Sequence, residues 1–295
     1  MLKGRIMKGI GGFYYIDTEN GLYECKARGI FRKDKVTPLV GDDVEIQIID
    51  EESKKGVIEK IFDRKSELIR PSIANVDTAV IVFAAKDPDP SFSLLDRFVV
   101  LAEKENLDII ICINKVDVDE GKAFEQVKEI YENCGYPIIA ISTFTGEGLG
   151  ELREAIEGRT VVFSGPSGVG KSSILNSIDK NLQLKTGDIS KKLGRGKHTT
   201  RHAELLKLDE HTTVADTPGF SSLTVNHIAE RELKEYFIEF TKYEEECRFF
   251  TDCIHESEPG CAVKEAVENG EISQIRYESY IQLINEIRDS NRRYK

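Results

Sequence analysis

Short runs of alternating polar and apolar residues, separated by turn signals, extend to about residue 68. Phe13-Tyr14-Tyr15-Ile16 leads through Asn20-Gly21 into Leu22-Tyr23-Glu24-Cys25, which reads as a hairpin. Asp43-Val44-Glu45-Ile46-Gln47-Ile48 alternates strictly, the period of a strand that buries one face. Gly56 to Phe62 supplies a further strand. From about residue 76 the texture changes. Thr78 to Ala85 is an unbroken run of apolar β-formers, as expected of a strand covered on both faces of a parallel sheet. Ser93–Lys104 carries Leu94, Leu95, Phe98, Val99 and Leu101 at helical spacing, and Asp108 to Ile113 is a second buried strand. A helix near 121–133, a strand at Pro137–Ser142, a helix at Leu149–Glu157 and a strand at Thr160–Ser164 follow. After about residue 222 the pattern is helical and acidic, and Ile275, Ile281, Ile284 and Ile287 mark a last helix between Ile272 and Lys295.

These patterns predict three domains. Residues 1–70 read as a small β-barrel, with an OB-fold as the expectation, although an SH3-like barrel or a sandwich shares the pattern. Residues 71–222 alternate strands with helices and so predict an α/β domain with a parallel sheet. Residues 223–295 predict a small, mostly helical domain.

Composition narrows the class. The chain has 295 residues and a formal net charge of −11, with 40% hydrophobic residues, which excludes a disordered chain. No apolar run approaches the roughly 20 residues that span a bilayer, and Met1-Leu2-Lys3-Gly4-Arg5 opens no signal-peptide core. A cytoplasmic, monomeric protein without membrane partners is the expectation. An acidic total does not exclude nucleic acid, because one basic face suffices for phosphate contact. Lys3, Arg5, Lys8, Lys26, Arg28, Arg32, Lys33 and Lys35 make the barrel stretch locally basic. Of six cysteines, Cys25, Cys112 and Cys134 are scattered and read as core residues.

Four motifs carry chemistry. Gly165-Pro166-Ser167-Gly168-Val169-Gly170-Lys171-Ser172 matches G-x-x-x-x-G-K-[ST], directly after the strand ending at Ser164 and before helical residues. Its backbone N–H groups suit phosphate oxygens, Lys171 suits the β- and γ-phosphates, and Ser172 suits Mg²⁺. Asn114-Lys115-Val116-Asp117 matches N-K-x-D at the carboxyl end of a buried strand, where Asp117 can accept guanine N1–H and the 2-amino group. Adenine offers neither donor, so the base is guanine and the ligand pair GTP/GDP. Ser142-Thr143, followed by Thr145-Gly146-Glu147-Gly148, resembles the loop that closes over guanine in GTPases. Asp216-Thr217-Pro218-Gly219 matches D-x-x-G, with Asp216 toward Mg²⁺ and the Gly219 N–H toward the γ-phosphate.

Between P-loop and D-x-x-G lies Gly194-Arg195-Gly196-Lys197-His198-Thr199-Thr200. One of Thr199 and Thr200 is the candidate switch threonine on Mg²⁺, and Thr200 is taken. Phe220 stands where Ras-like enzymes place a water-orienting glutamine, which leaves His198 as the best local candidate for that task. The motif order is the anomaly: N-K-x-D and the closing loop precede the P-loop. Joining the ordinary ends through Leu149–Thr160 and cutting after D-x-x-G gives a circular permutation, tolerated where the cut lies in an exposed connection. Finally, Cys247-x5-Cys253-x-His255-x5-Cys261 offers three thiolates and an imidazole in one short span, a closed set for one structural Zn²⁺.

The permuted NKVD, GPSGVGKS and DTPG order, the Gly-Lys-His-Thr-Thr loop and the Thr251-Asp252-Cys253-Ile254-His255 knuckle together resemble the ribosome-small-subunit-dependent GTPase family, RsgA or YjeQ. The resemblance spans essentially the whole chain. It implies a late 30S maturation factor that binds 16S rRNA, is activated by the small subunit and leaves after GTP hydrolysis. It also implies a catalytic histidine in the loop that contains His198. Two rivals differ in class: a guanylate-kinase-like phosphotransferase, which shares the Gly-Pro-Ser-Gly-Val-Gly-Lys loop, and a nucleotide-gated RNA-binding scaffold with negligible turnover.

Overall fold

A computed structural model describes residues 1–29, 31, 36–68, 72–119, 122–179, 182, 204–215 and 223–293, the last without its side chain. By contacts the chain divides into two compact units. One comprises Met1–Val80, Gly150–Ser164 and Lys171–Ser221; the other comprises Ile81–Leu149, Gly165–Gly170 and Ser222–Lys295.

The first unit opens with β1 (Leu2–Ile10), β2 (Phe13–Thr18), β3 (Gly21–Ala27), β4 (Asp43–Asp50) and β5 (Lys55–Ile61), closed as a barrel in the order β1-β2-β3-β5-β4. β3 runs parallel to β5 and the other neighbours are antiparallel, a five-stranded Greek-key barrel of the OB type. Alternation fills its interior: Ile6, Ile16, Tyr23, Val44, Ile46 and Ile58 are fully buried. The β2–β3 hairpin forms as expected, but Thr18 pairs with Gly21, so its two-residue loop is Glu19-Asn20 rather than Asn20-Gly21. That register sets Ile16 opposite Tyr23 in the core; a slip of one residue would turn Tyr23 outward. The barrel is followed by the short pair β6 (Glu67–Leu68) and β7 (Ile73–Ala74). Arg64 anchors this connection with Nε and Nη2 on the fully buried Asp42, at 2.7 and 2.8 Å.

The α/β part follows as β8 (Thr78–Ala84), α1 (Phe92–Lys104), β9 (Asp108–Asn114), α2 (Lys122–Tyr131), β10 (Ile138–Ile141), α3 (Leu149–Ala155), β11 (Thr160–Ser164), α4 (Lys171–Ile178), β12 (Leu205–Lys207) and β13 (Thr213–Ala215). The strands order as β10-β9-β8-β11-β13-β12. β9 pairs parallel with β10 and β11 parallel with β13, whereas β12 is antiparallel to β13. Every residue of β8 and of β11 is buried, which is why both read as unbroken apolar runs.

The C-terminal stretch is helical, as expected: short turns at Leu233–Tyr236, Ile238–Phe240 and Thr241–Glu244, then α5 (Ala262–Glu268) and α6 (Gln274–Arg293). Its core gathers Phe237, Phe240, Tyr280, Leu283, Ile284 and Ile287 with the cysteines Cys247, Cys253 and Cys261. The buried face of α6 is centred on Arg276, Ser279, Tyr280, Leu283 and Ile287, while Ile275 and Ile281 are only half-buried. The guanidinium of Arg276 is neutralised inside this core by Asp96 of α1 and by Glu239.

Candidate nucleotide site and metal centre

β9 delivers Asn114 to its carboxyl end, fully covered, where the side-chain amide donates to the Val169 carbonyl at 2.8 Å. This bond ties the N-K-x-D segment to the Gly165–Gly170 loop. The close approach needs glycine. A Cβ on Gly170 would lie 2.3 Å from Asn114 Nδ2, and one on Gly165 would lie 2.0 Å from the Val82 carbonyl oxygen. Val169 is buried under the loop, whereas Ser167 and Gly168 are exposed and Pro166 is half-buried. Lys115 is left-handed (φ 65) and its ammonium donates to the Asp87 carbonyl. Val116 is half-buried beside it and Asp117 is exposed.

Ser142, at the end of β10, is buried and its hydroxyl donates to Asp117 Oδ1 at 2.6 Å. Ser142 Oγ itself accepts from the Phe144 and Thr145 amides at 3.2 and 3.1 Å. Two motifs far apart in sequence, N-K-x-D and the closing loop, are therefore one hydrogen-bonded unit; Thr143, next to Ser142, is half-buried. Ser142 thereby orients the Asp117 carboxylate.

Lys171 opens α4 and is 6% exposed, with Ser172 also buried. Burial pushes the Lys171 ammonium down to about 8, so an anion beside it would restore its ordinary affinity for a proton. Ser164 Oγ and Asn114 Oδ1 are buried without a hydrogen-bond partner among the described residues, as expected of polar atoms whose partner is a ligand. His198, Thr199, Thr200, Asp216 and Gly219 lie outside the described residues; β13 ends one residue before Asp216.

The second cluster matches its sequence expectation. One ligand atom each from Cys247, Cys253, His255 and Cys261, all buried, lie within 4.8 Å of one another. Cys247 Sγ is 3.6 Å and Cys261 Sγ 3.4 Å from His255 Nδ1, and the two sulfurs are 4.0 Å apart. Tetrahedral zinc with ordinary Zn–S and Zn–N bonds gives edges of roughly 3.6–3.8 Å, so the donors fit one zinc ion. Burial pushes the Cys253 and Cys261 thiols up, Cys261 to about 12, so a bound cation must displace their protons. The Tyr277 and Tyr280 hydroxyls of α6 donate to the His255 and Ile254 carbonyls at 2.8 and 2.6 Å and hold the ligand loop. Cys25, Cys112 and Cys134 are buried, as expected.

Three groups escaped the sequence reading. Glu244 Oε1 lies 3.5 Å from His255 Nε2, the nitrogen turned away from the sulfurs, close enough for charge interaction though the two atoms form no hydrogen bond. Asp87 supplies the carbonyl that Lys115 grips. Arg276 has only a Leu-like helical position to announce it. Glu244 alone had a usable signal, as a carboxylate just before the first cysteine.

The permuted motif order, the parallel sheet and the fused site define a circularly permuted GTPase, flanked by a barrel and a Cys3His cluster. The RsgA GTPase profile matches residues 61–226 and the RsgA N-terminal domain profile residues 3–58. The chain belongs to the RsgA GTPase family. It is 51% identical over 294 residues, the full length of both chains, to "Small ribosomal subunit biogenesis GTPase RsgA" of Alkaliphilus metalliredigens (strain QYMF). The protein of the same name from Geobacillus sp. (strain WCH70) is 50% identical, again over the full length of both. Among solved structures, YjeQ from Thermotoga maritima superposes with a TM-score of 0.84 at 40% identity, covering 97% of this chain and 98% of that one. YloQ, titled a circularly permuted GTPase, gives 0.83 at 41% identity, covering 98% and 96%.

Proposed function

We propose that this GTPase acts in biogenesis of the small ribosomal subunit: it binds 16S rRNA on the 30S particle in its GTP state, is activated there, and leaves on hydrolysis. The observation that carries this reading is the full-length likeness to proteins named for that process, barrel and Cys3His cluster included. Asp117, held by Ser142, reads guanine; Asn114, Lys115 and Val116 shape that end, and Thr143 closes over it. The backbone of Gly165–Gly170 and the N-terminus of α4 take the phosphates, with Ser164 at their base and Lys171 on the β- and γ-oxygens. Ser172, with Thr200 and Asp216, would hold Mg²⁺, which supplies charge neutralisation on the phosphates. The Gly219 N–H senses the γ-phosphate, and His198 orients the attacking water. The cysteine–histidine set holds one structural zinc in residues 223–295.

The barrel supports RNA binding in a more selective way than its charge count suggests. Arg5, Lys8 and Arg28 are engaged by Asp43, Glu204 and Glu59. Lys26 instead sits over the Phe13 ring at 4.8 Å, and Lys3 and Lys60 flank Phe62 at 5.3 and 4.9 Å. Cations beside half-exposed rings suit phosphate contact and base stacking together. Cosedimentation with purified 30S subunits tests the reading. The chain loaded with a non-hydrolysable GTP analogue is expected to pellet with 30S and the GDP form to stay in solution, with binding weakened steeply by salt. Equal pelleting in both states, or salt-independent binding, would overturn it.

A further inference from the structure

Phe249 and Phe250 lie between two metal-ligand cysteines, yet both are exposed, at 45% and 47%. Their backbone is fixed. The Phe249 carbonyl accepts from the Asp252 and Cys253 amides at 2.9 and 2.8 Å, and the Arg248 amide donates to the Gly260 carbonyl at 3.0 Å. The Arg248 guanidinium covers one face of Phe249 at 5.5 Å. Two adjacent rings on a rigid turn lose little entropy on contact, which is the usual make-up of an interface hot spot.

Charge selects the partner. Glu245, Glu246 and Asp252, within a few residues of the rings in sequence, are exposed, and residues 223–295 hold sixteen acidic against ten basic side chains. Asp252 already engages Arg231 at 2.8 Å, in an ion pair exposed on both sides. An RNA backbone would meet like charge here, whereas a cationic polypeptide would meet complementary charge and apolar rings for its side-chain stems. We infer that the Phe249–Phe250 turn docks a Lys/Arg-rich polypeptide segment carried by the small subunit. This rests on the ribosomal reading above. The barrel would then hold RNA while the acidic C-terminal stretch holds protein.

The test places p-benzoylphenylalanine at position 250 of the full chain, bound to purified 30S subunits with a non-hydrolysable GTP analogue, and irradiates. The expected adduct is to a ribosomal protein at a Lys/Arg-rich segment. In parallel, Phe249→Ser with Phe250→Ser, and separately Glu245→Lys with Glu246→Lys, are expected to weaken 30S binding at least about tenfold, while affinity for a fluorescent GDP stays unchanged. An adduct to rRNA would overturn the inference, as would no adduct on a particle that still binds, or variants of unchanged affinity. Failure of the unmodified chain to bind 30S would instead overturn the ribosomal reading, and the docking surface with it.

Discussion

Arg276→Met removes one guanidinium and keeps an aliphatic stem. Arg276 is fully buried, donating to Asp96 Oδ1 at 2.6 Å and to both Glu239 oxygens at 2.8 and 2.9 Å, with its plane over Phe237 and Tyr131. Methionine replaces the aliphatic stem but not the guanidinium, so most of the cost is that of two carboxylates left in the interior, with a smaller cavity term added. Breaking a buried ion pair in this way costs about 3–5 kcal/mol. At roughly 2–4 °C per kcal/mol for a unit of this size, the melting temperature should fall by about 10 °C at pH 7. The deficit should depend on pH. Arg276 holds Glu239 below its ordinary value against the burial that would raise it, so the pair's stabilisation is present at neutral pH and is lost as pH falls. In the variant both carboxyls rise, and protonating them removes the penalty. The gap between variant and wild type should therefore shrink toward pH 4. Thermal denaturation followed by fluorescence, at pH 7 and at pH 5, checks this. The triple variant Arg276→Met, Asp96→Leu, Glu239→Leu should recover much of the loss, because no charge is then orphaned. A fall of less than about 2 °C for Arg276→Met, or an equal fall at both pH values, would refute the reasoning.

Further outcomes follow from the two sites. Asp117→Asn should shift preference from guanosine to xanthosine nucleotides, whose 2-oxo group accepts from an amide; unchanged preference in competition with a fluorescent GDP would remove Asp117 from the base site. Because Lys171 sits near 8 in the free protein and phosphates would raise it, nucleotide binding takes up a proton above pH 8. Affinity should be level below that pH and then weaken by up to about tenfold per unit; a flat profile to pH 9.5 would contradict the burial argument. Cys261→Ser should lower zinc from one equivalent per chain and lower the melting temperature of the C-terminal part, read by a chromogenic chelator and by thermal denaturation. Full zinc occupancy in that variant would exclude Cys261 as a ligand.

The elements legible in the sequence are those whose signal is local. β8 and β11 are unbroken apolar runs because both faces are covered, and the P-loop follows β11 without a gap. The cysteine–histidine set was legible because four donors in one short span have few other uses. What stayed hidden depends on distant partners. The parallel β3–β5 pairing that separates an OB barrel from a sandwich joins strands across β4, and nothing in either strand announces it. The hairpin loop is Glu19-Asn20, one residue before the Asn-Gly signal; either loop sets Ile16 opposite an inward residue, Tyr23 or Cys25, so the local signal marks the hairpin but not its register. Arg276 occupies an inward position on α6 that periodicity would give to an apolar residue, and only Asp96 and Glu239, far away in sequence, make it tolerable. N-K-x-D and the closing loop read as two separate motifs in the sequence; the Ser142–Asp117 hydrogen bond that joins them is visible only in three dimensions.

GTP hydrolysis by the purified chain, alone and with purified 30S subunits, tests the central claim most directly, with Lys171→Ala as the control. A slow basal rate, raised strongly by 30S and abolished in Lys171→Ala, is the expected result. A rate that 30S leaves unchanged while GTP remains bound would contradict the ribosomal assignment, and stimulation that survives in Lys171→Ala would contradict the site.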